Sequence, residues 1–319
     1  MPQGYGMIGH IGIAKEAAWG TAVAATDYFE ALSENLTGTY DWFDVRNIHG
    51  KFSPPDQLRG MRRVGGSIVL PGNARSIGFF LLGATGIQSN TTVLSGFLHR
   101  HTFTMATADN AADNPLPPFT FEIFRDVTSS QRYIGCQVAG IQLSVAPNQE
   151  LRVTANILGK DYINIAKTTP SFPGSPVDPF TFDACSMQIA GAGSTLFESF
   201  NVSIDNQLDG VATLNANRLI TKIRRSGFQQ IGVSGTLGFE NITDYQRFVN
   251  ETEFTLKADF FRANSFSMLV DFPRVIYRAF PLGLSGAGRM TVGFDGVVRY
   301  SVSSASMGKI QVTNTKSGY

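Results

Sequence analysis

The sequence predicts a mainly β protein, and three observations carry the prediction. Phe occurs 25 times and Gly 33 times, while charged residues are only 16% of the 319. That composition suits strands and tight turns better than helical bundles. Several short runs alternate apolar and polar side chains with the period of two that a half-buried strand requires. Helical spacing is confined to two brief segments, and the same order of elements is laid out twice along the chain.

Taken in order, residues 1–28 form an arm rich in Gly and Ala, with Ile11, Ile13 and Trp19 as apolar anchors. Such a segment has little reason to pack on its own half and is expected to order against a neighbouring molecule. A strand-like run opens at Phe29-Glu30, and a second follows Arg62-Arg63, over residues 67–70. A helix over residues 73–82 follows Pro71-Gly72, with Asn73 as its N-cap. Residues 106–118 carry Asp, Asn and three prolines, which is turn chemistry without a core. Strands are predicted over residues 119–125, 137–145 and 151–157, the last two joined by a hairpin connection at 146–150. Residues 170–179 place a proline at every third position, an extended, semi-rigid spacer near the middle of the chain.

The second half repeats the plan. Phe197-Glu198 lies 168 residues after Phe29-Glu30, and Asn241 lies 168 after Asn73. Arg224-Arg225 precedes a strand over 232–237, as Arg62-Arg63 precedes its own. A helix over 241–249 presents Ile242, Tyr245, Phe248 and Val249 on one face, read as core. The run at 254–262 matches that at 119–125, and a closing hairpin over 275–302 matches 138–157. There Asp295-Gly296 between alternating runs reads as its turn. The first half carries an excess of 33 residues within 84–118, counted as the drop in offset between halves from 168 to 135. The expected organisation is an arm (1–28), a first domain (29–165, insertion about 84–118), a linker (166–180) and a second domain (181–319).

Lys plus Arg is 26 against 25 for Asp plus Glu, so the basic excess of a phosphate-gripping protein is missing. A near-neutral, charge-poor surface favours association. The pattern Gly4-x-Gly6-x-x-Gly9 lacks the preceding strand that a dinucleotide site needs. His99 and His101 flank Arg100, too few ligands for zinc. No nucleophile, base and orienter fall into a set. No catalytic, cofactor-binding or metal residue is assigned, and an enzyme is not expected. Cys136 and Cys185 are expected to be buried free thiols. No apolar stretch is long enough for a bilayer, and no secretory signal is visible, so membrane insertion is not expected and synthesis is expected in the cytosol.

The run Ile11-Gly12-Ile13-Ala14-Lys15-Glu16-Ala17-Ala18-Trp19-Gly20-Thr21 resembles the opening of tail tube proteins of long-tailed bacteriophages. Tyr133-Ile134-Gly135-Cys136-Gln137-Val138 and Gly159-Lys160-Asp161 are similar to the family's middle motif, and residues 197–206 and 310–314 to later ones. The resemblance covers nearly the whole chain. It implies tandem tail-tube domains, each a β-sandwich or barrel portion with one flanking α-helix, closing into an intersubunit β-barrel. It implies stacked rings around a tape-measure protein, capped by tail terminator and baseplate or tip proteins. DNA would transit without tight binding during genome ejection. The expected place is the virion tail, assembled in the host bacterial cytoplasm. Ile11, Ile13, Trp19 and Gly20 are the expected assembly residues. With two domains per chain, three chains would supply a pseudo-sixfold ring, the 33-residue excess forming three protrusions. A lumen for DNA should be neutral or acidic, with Arg62-Arg63 and Arg224-Arg225 away from it or neutralised. The competing readings are a tandem β-sandwich carbohydrate-binding or adhesin module, which two tryptophans support poorly, and another virion part.

Overall fold

The computed structural model describes residues 4–48, 50–53, 56–94, 97–106, 116–172, 178–262, 266–283 and 287–319. In chain order the strands are β1 (His10–Lys15), β2 (Asp27–Phe29), β3 (Ser33–Glu34), β4 (Thr37–Val45) and β5 (Asp56–Pro71). Helix α1 (Ile77–Thr85) follows, then β6 (Gly86–Leu94), β7 (Leu98–Met105), β8 (Phe119–Phe124), β9 (Ser129–Val145), β10 (Arg152–Gly159) and β11 (Asp161–Ala166). The second half contributes β12 (Cys185–Ile189), β13 (Ala192–Ser194), β14 (Phe197–Asp205), β15 (Leu208–Val211), β16 (Lys222–Arg225) and β17 (Gln230–Gly238). Helix α2 (Thr243–Val249) leads to β18 (Phe254–Phe261), β19 (Ser267–Ala279), β20 (Thr291–Val298) and β21 (Lys309–Asn314). The protein is mainly β, with antiparallel pairing throughout and sandwich-type layering.

The two halves pair their strands in the same order. In the first, β2–β1–β8–β9 form one layer, and in the second, β13–β12–β18–β19. In each, the long strand then bends and passes into a second layer. β9 pairs with β11 through its first residues and with β10 through its last, while β19 pairs likewise with β21 and then β20. β10 runs on to β5 and then β4, and β20 to β17 and then β14. A strand that changes layers covers the core on both sides with one segment, which is why β9 needs 17 residues and β19 needs 13.

Each helix stands behind the strand that precedes it. Asn73 is not the N-cap expected of it, since Ser76 holds that position of α1. Its side chain accepts the backbone N–H of Ser76 at 2.9 Å from one turn upstream, and the Asn241 side chain accepts that of Thr243 at 2.9 Å, so both asparagines supply donors at the helix starts with an acceptor. α1 begins at Ile77, later than its expected start, and is buried on every side. Phe80 packs edge-on to Phe29 and stacks on Phe121. α2 departs from the expected core face: Tyr245 and Phe248 pack on the core, but Ile242 and Val249 are exposed. Its seven residues make too short a helix to lay four side chains along the core.

The halves share one sheet. β9 pairs with β14 directly, and β7 pairs with β21. The described part of the 33-residue excess of the first half is therefore no freestanding protrusion. It contains the hairpin β6–β7, whose His101, Phe103 and Met105 point inward and are buried, and which extends the second half's outer layer. Residues 107–115 of the same connection, and 173–177 of the proline spacer, lie outside the described residues. Beyond the spacer, Phe180 is buried against Phe260 and exchanges backbone bonds with Gly72 and Leu151.

The Asp295-Gly296 turn is also corrected. β20 runs straight through it, between β17 and β19. Two flanking strands satisfy the backbone there and override local turn chemistry. Gly296 serves close packing instead, since a Cβ would stand 3.0 Å from Val233 and 3.3 Å from the Ile276 carbonyl.

Two polar groups hold the junction between halves. The Asn206 amide donates to the carbonyls of Ala84 and Val138, each at 3.0 Å, and its oxygen accepts from Gln229 at 2.8 Å. Asn206→Ala takes the side-chain donor from the Val138 carbonyl, leaves the Ala84 carbonyl only the longer 3.4 Å bond from Gln229, and is expected to lower stability by roughly 1–3 kcal/mol, read as a shift in the urea midpoint at unchanged slope. At the other junction, the buried His101 ring donates from Nε2 to the Lys316 carbonyl at 2.8 Å and accepts from Gln88 at Nδ1 at 2.7 Å. The Tyr319 ring packs against it. Burial, with the nearby His99 and Lys316 charges, holds His101 below its usual range, so the folded state keeps it neutral. The unfolded chain then binds the extra proton, and stability falls as pH drops below the ordinary histidine value. His101→Asn is expected to flatten that part of the stability–pH curve, and an unchanged curve would count against this account.

Candidate functional site

The register makes the inner layer two-faced. Leu70, Val153, Leu143, Val202 and Val233 are successive cross-strand partners, and so are Ile68, Ala155, Ile141, Ile204 and Ile231. All ten are buried. The neighbouring rows point the other way, because successive residues alternate faces. One row reads Val69, Thr154, Gln142, Ser203, Gly232 and Val297, another Pro71, Arg152, Ser144, Asn201, Ser234 and Asp295, and a third Ser67, Asn156, Gly140, Asp205 and Gln230. These rows are dominated by hydroxyls, amides and glycines. Their only charges are Arg152, Asp205 and Asp295. They run unbroken across the β9–β14 seam, and Gly140, Gln142, Asn156, Ser203, Asp205, Gln230, Gly232, Asp295 and Val297 from them line an open hollow of about 820 Å³ together with Arg278 and Arg299.

Arginine pairs near this layer are accounted for by partners. Arg62 bridges Asp161 at 2.8 Å and lies over the Tyr162 ring at 4.0 Å, and Arg63 bridges Asp41 at 3.0 Å. Arg224 stands opposite Asp209 in the β15–β16 pair, and Arg225 reaches the Asn206 side chain at 3.5 Å. Beyond the layer, β4 and β5 continue as a projecting hairpin with Trp42, Phe43, Phe52 and Leu58 exposed. The backbone of Arg62 bonds to that of Arg218 in the corresponding connection of the second half, where Leu214 is exposed. Apolar tips from both halves therefore occupy one end of the layer.

The structure does not leave residues 10–20 as a free arm. Strand β1 lies between β2 and β8, with Ile11 and Ile13 buried in the core. The period-two spacing of Ile11 and Ile13 is a strand pattern that the Gly and Ala content obscured. Behind β1 the three quoted motifs meet. The buried Glu16 carboxylate accepts the backbone N–H of Gly135 at 2.8 Å, that of Gly20 at 2.8 Å and the Thr120 hydroxyl at 2.7 Å. The Trp19 indole donates to the Gly135 carbonyl at 2.9 Å, and the Lys160 ammonium lies 4.8 Å from its ring centre. Gly20 and Gly135 adopt φ of +80° and +65°, a region L side chains avoid. Burial raises the Glu16 carboxyl above its usual range, with its three donors and Lys160 pulling it back. Glu16, Gly135 and Lys160 were not among the expected site residues. Their sequence separation hides the contact, although each stands in a recognisable motif.

Gly4 to Gly9 lead into a strand, β1, where a dinucleotide site would need a helix. Cys136 is buried and Cys185 half-buried, both free, with burial pushing the Cys136 thiol up and the Cys185 thiol up to about 12. Among the described residues, no group of three or more His, Cys, Asp or Glu side chains could hold a metal ion, and no helix is long and apolar enough to cross a membrane.

A two-faced layer with an apolar back and a polar front suits a structural subunit rather than a catalytic one. The model of the phage tail tube protein family matches residues 8–304, and the chain belongs to that family. No curated protein matches it. It is a structural component of the virion tail that self-assembles into a tube.

Proposed function

We propose that the chain assembles into closed rings that stack into the tail tube and that the phage genome leaves through the lumen. The polar front of the inner layer is that lumen, and its unbroken, nearly neutral character across both halves is the observation that carries the reading. Small hydroxyl and amide groups keep a hydrated wall, and its cations, Arg152, Arg278 and Arg299, are spread over separate strands and strand ends with Asp205 and Asp295 among them, so a polyanion meets no continuous basic row. Each half supplies four strands to the layer, so three chains give the ring with approximate sixfold character. Ile11, Ile13, Trp19 and Gly20 serve assembly indirectly, by bracing β9 at the seam. The projecting apolar tips contact the next ring. A tape-measure protein occupies the tube during assembly, and terminator and baseplate or tip proteins close its ends. Assembly takes place in the host bacterial cytoplasm.

Electron microscopy of the purified protein tests this. Stacked tubes with three subunits per ring are expected. Monodisperse monomers under all conditions would overturn the tube reading, and six chains per ring would overturn the stoichiometry. Deleting residues 1–20, which removes β1 and the Glu16 knot, is expected to give insoluble chain rather than a folded monomer. A soluble truncated protein with cooperative unfolding would contradict that.

A further inference from the structure

We propose that the β9–β14 seam inside the chain is the template for the seam between chains, with the outer edge of β4 taking the part of β14 and residues 281–283 taking the part of Gly140, Ile141 and Gln142. This rests on the ring reading above and adds its register.

Two glycines align the halves. Gly66 in β5 and Gly235 in β17 each leave no room for a Cβ, because a neighbouring carbonyl, of Asn35 or of Ser199, presses on that point. Each stands at an irregularity, the break between β3 and β4 in one case and the register shift between Phe197 and Ser199 in the other. Counting from them, Thr37 opposite Gly65 corresponds to Asn201 opposite Ser234. Gly38 opposite Val64 corresponds to Val202 opposite Val233, and Thr39 opposite Arg63 to Ser203 opposite Gly232. Asp41 then falls where Asp205 does. The match extends the polar rows of the front face onto β4.

The same count aligns the other side. Gly66 faces Ile157, as Gly235 faces Phe294, so Leu158 opposite Gln137 corresponds to Asp295 opposite Ala279. Phe280 then stands for Val138, and both are buried. Ala139 is the extra residue of the bulge between Ile157 opposite Val138 and Asn156 opposite Gly140, so by cross-strand position residues 281–283 stand for Gly140 to Gln142, within the stretch of β9 that receives β14.

Both edges are open in the single chain. β14 is flanked by β9 and β17, whereas β4 pairs with β5 alone among the described residues. The β8 strand leaves β9 at Cys136, which frees its last residues for β14. Likewise β18 leaves β19 at Val275, but residues 280–283 lie outside any strand and pair with none among the described residues. An unpaired edge seeks a partner strand. One edge of each kind per chain gives a heterologous contact that closes only by rotation, as a ring does. A second copy of this chain is the partner whose edge carries the matching polar row. On assembly, residues 281–283 become strand, with Gly283 opposite Thr39 as Gln142 is opposite Ser203.

The test is a cysteine pair, Thr39→Cys with Gly283→Cys, oxidised in assembled tubes. A Cβ at Gly283 meets open space. Gln142→Cys with Ser203→Cys, at the seam already present in the chain, calibrates whether this pair type bridges. The expected result is a ladder of disulfide-linked dimers and trimers that needs both substitutions and assembly. Hydrogen exchange on the unaltered protein is the second readout: amides of residues 37–41 and 281–283 should exchange at least about 100-fold more slowly in tubes than in monomers. Tubes that form without the ladder and without new protection would overturn the register and leave the tube reading standing. Absence of tubes from the unaltered chain would overturn the tube reading itself.

Discussion

Tubes assembled from a chain carrying Thr154→Lys and Ser203→Lys should capture duplex DNA that unaltered tubes release. Both side chains lie in one polar row of the front face, on β10 and β14, with Gln142 of β9 between them. Strand neighbours are about 4.8 Å apart, so the two ammonium groups stand roughly 10 Å from each other, near the Debye length at moderate salt. Their mutual repulsion is then small. Neither substitution touches the apolar back, so monomer stability should stay within about 0.5 kcal/mol. The effect on DNA is of another order. Three chains place six new cations on each ring, and every phosphate neutralised adds about −0.9 to the slope of log affinity against log salt. Binding should therefore fall by a factor of roughly 10³ or more between about 50 and 200 mM salt. Co-sedimentation of a short duplex with tubes over a salt series measures it. Thr154→Gln with Ser203→Asn is the neutral control. Lysine tubes that assemble normally and still ignore DNA would mean that this face is not the channel wall.

That prediction could be placed on named residues because the cross-strand register fixes the faces of the inner layer, of which the sequence showed the strand alternation of residues 151–157 but not which face is which. The exposure of residues 152–159 alternates as the side chains do, and the cross-strand register carries the same parity through five more strands. The repeat was legible for a similar reason, since two equivalent asparagines perform the same local task at the two helix starts. Where tertiary context decides, the sequence misleads. Asp295-Gly296 has the chemistry of a turn but sits in a strand held on both sides. Residues 86–94 carry Ser, Asn and Thr where an apolar alternation would have marked β6, because that strand pairs on one edge and stays largely exposed. The knot behind β1 was invisible for a third reason. Glu16 and Gly135 are 119 positions apart, and nothing local to either one names the other.

That knot carries the largest expected effect on stability. Glu16→Ala removes the acceptor of two backbone N–H groups and one hydroxyl in a place where the glutamate is 3% exposed. Each buried donor left unsatisfied costs about 1–3 kcal/mol. Thr120 can turn its hydroxyl elsewhere, but the N–H groups of Gly20 and Gly135 are fixed by their left-handed backbone. A loss of about 3 kcal/mol or more is therefore expected, as a lower denaturation midpoint. Glu16→Gln separates packing from acceptor chemistry. Its carbonyl can still serve Gly135 and Thr120, while its amide faces the Gly20 N–H, donor against donor, so it should recover part of the loss. Trp19→Phe keeps most of the ring packing and removes only the indole bond to the Gly135 carbonyl, for roughly 1 kcal/mol. Three variants with equal midpoints would reduce the knot to ordinary packing. A graded series with alanine lowest would show that this carboxylate, through Gly135, holds β9 in the shape the seam requires. The same series should then order the variants by how readily they polymerise.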